Sequence, residues 1–143
     1  MDHRSYRGSC FCGAVEITVT GEPVAMGFDH CTSCRQWSAG PINAFTLWAP
    51  QNVKVTKGAG NLGMYSRHPQ SERKFCKTCG GHVMTDHPPL KVTDVYAAII
   101  PDLPFKPGLH VNYQEHVISM KDGLPKHKDF PREMGGSGEL LPE

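Results

Sequence analysis

The chain has 143 residues, fifteen of them basic and fourteen acidic, with a formal net charge of +1. That is enough for one domain with a sizeable core, and the balanced charge offers no electrostatic footprint for nucleic acid or an anionic membrane. No apolar run approaches the ~18 residues that span a bilayer and the opening "MDHRSYRGSC" lacks the apolar stretch of a secretory signal, so a small-molecule partner and a cytoplasmic location are expected.

After a polar leader, Val15, Ile17 and Val19 alternate with Glu16, Thr18 and Thr20, the period of a half-buried strand, and Gly21 to Pro23 then turns the chain. Further short runs follow in "AFTLWAP", "NVKVTKG", "LGMYSR" and "VYAAII". Each is rich in β-branched or aromatic residues and bounded by Gly, Pro or Asn. Twelve Pro and fifteen Gly punctuate the rest, leaving one short helical turn around Cys34 to Ala39. The pattern predicts an all-β chain of short antiparallel sheets with few helical turns. It reads as a single domain over 1–134, and the composition of "GGSGELLPE" predicts a mobile tail over 135–143.

Without a secretory signal, six cysteines argue for metal rather than disulfides. They come as three close couples: Cys10 with Cys12, Cys31 with Cys34, and Cys76 with Cys79. Cys10 and Cys12 stand two apart on what reads as the start of a strand, so both would leave one face and grip one ion. Cys76 and Cys79 are followed by two glycines that let backbone amides fold around thiolates. Spacing permits a four-thiolate site from the outer couples, a ribbon-like pairing of Cys31 and Cys34 with Cys76 and Cys79, buried free thiols, or a redox pair. If the outer couples close one site, Cys31 and Cys34 need another ligand. Asp29 lies two before Cys31 and would point the same way on an extended segment, giving three ligands and an open position, as in catalytic zinc. His30 or His82 could serve instead.

The ordered set "GSCFCGAVEI", "HCTSCRQWSAG", "AFTLWAPQNVKVTKG", "LGMYSR", "RKFCKTCGGHV" and "DGLPKHKDFP" resembles the glutathione-dependent formaldehyde-activating family, which also includes centromere protein V. The likeness runs from about Gly8 to Pro131. It implies an all-β, zinc-bearing fold of the β-tent kind, with structural zinc on Cys10, Cys12, Cys76 and Cys79. It further implies a second, catalytic zinc held by three cysteines in CxCxxC spacing and accessible to glutathione. This chain matches the last two at Cys31 and Cys34 and departs at the first, where Asp29 stands. Exchanging sulfur for oxygen should weaken zinc affinity and leave the ion more electrophilic.

The implied activity is that of a zinc-dependent carbon-sulfur lyase acting on a thiol adduct of a small aldehyde, with glutathione and formaldehyde the family's pair. Cys31 and Cys34 would be ligands, and Asp29 the third ligand or a general base. Arg35, and with it Arg73 and Lys74, could grip the carboxylates of the thiol. One rival is a non-enzymatic zinc module with a degenerate second site. Another is a redox dithiol at Cys31 and Cys34. Trp37, Phe45, Trp48 and Tyr65 read as core or pocket wall, and His68, His87, His110, His116 and His127 carry no spacing argument.

Overall fold

The computed structural model describes residues 4–143. Ten strands and one α-helix follow in chain order: β1 (Ser5–Ser9), β2 (Glu16–Thr20), β3 (Ala25–Asp29), α1 (Thr32–Ser38), β4 (Asn43–Trp48), β5 (Val53–Lys57), β6 (Leu62–Tyr65), β7 (Glu72–Cys76), β8 (His82–His87), β9 (Val92–Tyr96) and β10 (Leu109–Val111). The chain is mostly β, with its one α-helix where the helical turn is expected. Two compact units result, one of residues 4–24 and 46–105 and the other of 25–45 and 106–143.

In the first unit β1, β2 and β5 form an antiparallel sheet, β2 in the middle. The expected alternation appears in β2, where Ile17 and Val19 are fully buried. The polar leader is itself an edge strand, because β1 gains its order from backbone pairing with β2 and needs few apolar side chains. The second half of β4 is followed in sheet order by β9, β8, β7 and β6, with β6 to β9 pairing antiparallel. Cys10, Val15, Ile17, Val19, Trp48, Cys76, Val83, Met84, Val95 and Ile100 form the core. Each large apolar side chain buried in this way contributes about 1.5–3 kcal/mol. Trp48 carries a polar atom into this core, and Thr46 satisfies it: Trp48 Nε1 donates to Thr46 Oγ1 at 2.8 Å, and the hydroxyl donates onward to the Val95 carbonyl. Tyr65, expected inside, is 58% exposed at the end of β6, the last strand in the sheet order.

The second unit has a different interior. β10 runs parallel to β3, pairing His110 with Phe28 and Val111 with Asp29, the one parallel ladder in an otherwise antiparallel set of described registers. The first half of β4 lies on the other side of β3. Helix α1 ends where Ala39 adopts φ 59° before Gly40 and Pro41. Residues 135–143, read from composition as a mobile tail, are hydrogen-bonded along the 126–128 segment. Lys128 N donates to Glu139 O, Leu141 N donates to Lys126 O, and Lys126 Nζ donates to Glu143 Oε2 at 2.9 Å. Buried here are His30, Asn43, His110, Asn112 and Lys126, alongside Phe45, Val111 and Tyr113.

Thr46→Val keeps the shape of the first core but strips the partner from a buried indole N–H. The expected cost is about 1–3 kcal/mol in urea unfolding, with the m-value unchanged.

Candidate metal centres

The first centre lies wholly in the first unit. Cys10 and Cys12 sit in the turn between β1 and β2, closed by Cys10 N donating to Val15 O at 3.0 Å and Gly13 N to Cys10 O at 3.2 Å. They are therefore on a loop rather than at the start of a strand, because Gly13 at φ 82° reverses the chain before the alternation begins. Cys76 ends β7, and Cys79 follows on a turn in which Gly80 N donates to Cys76 O at 2.8 Å, with Gly80 at φ 74°. Gly81 is needed for space: a Cβ there would meet Cys79 Sγ at 3.2 Å and the Phe11 amide at 3.3 Å.

The sulfurs of Cys10, Cys12, Cys76 and Cys79 all lie within 4.8 Å of one another. Cys12 Sγ is 3.8 Å from both Cys10 Sγ and Cys76 Sγ. A tetrahedron with metal–sulfur bonds of ~2.3 Å has an edge of ~3.8 Å, so the donor set fits zinc without rearrangement. N–H groups face the sulfurs as thiolates require. Val15 N donates to Cys10 Sγ (3.3 Å), Thr78 N and Asn61 Nδ2 to Cys76 Sγ (3.4 and 3.3 Å), and Gly81 N to Cys79 Sγ (3.3 Å). The Gly81 amide is the main reason the Cys79 thiol is drawn down to about 6.

The second centre lies wholly in the second unit. Asp29 ends β3, Cys31 precedes α1 and Cys34 sits in its first turn, and one ligand atom from each lies within 4.8 Å of the others. All are half-buried. Two thiols and a carboxylate suit zinc and leave a position open. Cys34 donates a hydrogen bond to Cys31, pulling the Cys31 thiol down to about 7 against burial. The same bond, burial and the nearby Asp29 carboxylate push the Cys34 thiol up.

The carboxylate is aimed by its neighbours: Cys31 N donates to Asp29 Oδ1 at 2.9 Å and Asn112 Nδ2 donates to the same oxygen at 3.1 Å. Cys31 offers α1 no side-chain cap, and Glu115 supplies one, its Oε1 accepting from Thr32 N at 3.0 Å. Arg35 ties helix and loop together. Its Nε donates to His30 O, and its Nη2 to Thr32 Oγ1 and Glu115 O. Nη1 is the end not used in these bonds.

The structure thus groups the cysteines as outer four and inner two, with Asp29 joining the inner pair. His30 is instead fully buried beside His110, and burial is the main reason its imidazole is pushed down to about 4. His82 is half-buried at the start of β8 near Tyr96, Lys74 is paired with Asp86 at 2.7 Å, and Arg73 is buried in β7. Sequence reasoning missed Asn61, Asn112, Glu115 and the buried His110, because each acts through long-range contacts and has no motif of its own.

The described residues thus hold a four-cysteine cluster and an Asp-Cys-Cys cluster in a mostly β chain. The model of the glutathione-dependent formaldehyde-activating enzyme matches residues 5–115, and the chain belongs to that family. An uncharacterized lyase of Schizosaccharomyces pombe is 33% identical over 75 residues, which cover 52% of this chain and 53% of that protein, so this chain spans about half of that relative's length. A Halomonas elongata protein, provisionally named a glutathione-dependent formaldehyde-activating enzyme, is 31% identical over 108 residues, covering 70% of this chain and 69% of that one. A crystal structure of a Rhodobacter sphaeroides protein superposes with a TM-score of 0.55 at 29% identity, covering 68% of this chain and 90% of that one. Among the described residues, no helix is long and apolar enough to cross a membrane.

In metal-free protein, iodoacetamide should modify Cys31 in preference to Cys34, with a rate that rises as pH passes through about 7 because the thiolate is the nucleophile. Peptide mapping after partial alkylation reads this directly. Equal labelling of both cysteines would contradict the assigned bond between them.

Proposed function

We propose that this chain is a zinc-dependent carbon-sulfur lyase-type enzyme that acts on the glutathione adduct of a small aldehyde, formaldehyde in the first instance. The observation that carries the reading is the convergence of Asp29, Cys31 and Cys34 within 4.8 Å, in a chain whose other four cysteines already make a complete set. Family membership and the lyase name of one relative support it.

Cys10, Cys12, Cys76 and Cys79 would hold a structural ion that ties the β1–β2 turn to the end of β7. Asp29, Cys31 and Cys34 would hold the second. Zinc there would supply Lewis acidity that lowers the pKa of a bound thiol. The net reaction adds the thiol to the aldehyde: the S–H bond breaks, an S–C bond forms, the carbonyl π bond opens, and the proton ends on oxygen as the hydroxyl of a hemithioacetal. The reverse releases aldehyde and thiol.

The chain's own residues contribute position and proton handling. Asn112 and the Cys31 amide hold one Asp29 oxygen and so set the plane of the carboxylate. Glu115 and Arg35 keep α1, and with it Cys34, against the 112–115 loop. The Nη1 end of Arg35 can receive a carboxylate of the thiol ligand.

A non-enzymatic zinc module is the second reading. One observation favours it: Asp29 Oδ1 already accepts two N–H bonds, as a purely structural carboxylate would. Substituting Asp29→Cys separates the two, since it would create a second zinc site under this reading and only tighten an existing one under the first.

Elemental analysis of the purified chain should give about two zinc ions, falling to about one in Cys31→Ala, with loss of the accelerated formation of the hemithioacetal from glutathione and formaldehyde followed by NMR. One ion in both proteins, with the acceleration unchanged, would sink the enzymatic reading.

A further inference from the structure

His30 stands between two of the proposed ligands, Asp29 and Cys31, and its side chain belongs to an arrangement that the metal chemistry does not use. Its ring is fully buried and stacks at 26° on the equally buried His110. His30 Nε2 and His110 Nδ1 are 2.8 Å apart, and His110 Nε2 lies 2.7 Å from Asp122 Oδ2. The other carboxylate oxygen, Asp122 Oδ1, accepts from Lys126 Nζ and from the Leu124 amide at 3.0 Å. Lys126 is buried and also donates to Glu143. At the far end, His30 Nδ1 is buried and has no hydrogen-bond partner among the described residues.

The chain of bonds has a direction that elementary donor and acceptor rules fix. A carboxylate only accepts, so His110 Nε2 carries a hydrogen. Lys126 already supplies a cation to Asp122, so the carboxylate needs no second one from His110. A neutral His110 with its hydrogen on Nε2 has a bare Nδ1, so His30 must donate from Nε2 and keep a bare Nδ1 itself. His110 also shares β10 and its continuation with Asn112, two residues on, which holds the Asp29 carboxylate. One segment therefore fixes both the ring between the proposed ligands and the first ligand.

We propose that Asp122 is a positioning residue for the Asp29-Cys31-Cys34 centre, acting through His110 to lock His30 as its Nε2–H tautomer and so to hold the backbone that carries Asp29 and Cys31. The effect on metal rests on the second centre binding an ion. The tautomers do not.

Asp122→Asn tests the direction of the chain. Oδ1 faces two obligate donors, Lys126 and the Leu124 amide, so the amide oxygen of the variant should stay there and its NH₂ should face His110. His110 must then accept at Nε2 and donate from Nδ1, and His30 must carry its hydrogen on Nδ1. Side-chain ¹⁵N NMR of the full chain with its four-cysteine site loaded should show both histidines with Nε2 protonated in the wild type and both reversed in the variant. Titration with Co²⁺, read by its ligand-field bands, should show second-site affinity weakened on the order of tenfold or more. The four-cysteine ion should stay bound. A doubly protonated His110 in the wild type, or tautomers unmoved by the substitution, would overturn the proposal. Reversed tautomers with Co²⁺ affinity unaltered would overturn the positioning role. Absence of second-site Co²⁺ binding in both proteins, with the tautomers reversed, would overturn that role by way of the metal reading and leave the tautomer lock standing.

Discussion

Four sulfurs within 4.8 Å of one another are tolerable as thiols but not as thiolates, unless a cation stands among them. The amides turned toward them stabilise negative sulfur, so the site is built for the charged form. A metal there would join Cys12 to Cys76, 64 positions apart, and close a loop whose entropy the fold would otherwise bear unaided. Much of the first unit is organised to make that closure possible. Gly13 and Gly80 take the positive φ values that bend the two turns, Asn61 reaches Cys76 Sγ from the turn just before β6, and the buried Cys10 and Cys76 merge with the apolar core.

The second unit follows the opposite logic. Its buried set includes two imidazoles, a lysine and two asparagines, groups that proteins place inside only with partners. His30 and His110 bond to each other, Asn112 bonds to Asp29, and His110 and Lys126 meet on Asp122. A buried polar network costs stability compared with hydrocarbon of the same volume, yet it defines one arrangement sharply, since hydrogen bonds hold only at the right distance and angle. Under the proposed reading, the centre of the first unit would stabilise and that of the second would react.

Much of this was legible in the sequence, and the limits have physical causes. Alternation in residues 15–20 exposed β2 because one face is buried, and the close spacing of the cysteine couples exposed the clusters because neighbours two or three apart stay together. The β1 strand was invisible because an edge strand can be polar, and Cys10 and Cys12 were placed on a strand because the turn at Gly13 leaves no periodic mark. Asn112, Glu115 and His110 could not be found, for a single asparagine or histidine has meaning only once β10 lies beside β3. The hydrogen bonds of residues 135–143 were hidden by composition, which registers glycine but not the carboxylate of Glu143 meeting a buried lysine.

The departure at Asp29 then has a specific meaning. A set of one carboxylate and two thiolates carries the same formal charge as three thiolates, so exchanging sulfur for oxygen leaves the electrostatic balance of a bound divalent ion unchanged. What differs is donation. A carboxylate oxygen gives less electron density to zinc than sulfur does, and here the Cys31 amide and Asn112 already draw on Oδ1. An ion held this way would bind more weakly and polarise a bound thiol more strongly. Support from Asn112 would offset part of the lost affinity by holding the carboxylate in one orientation.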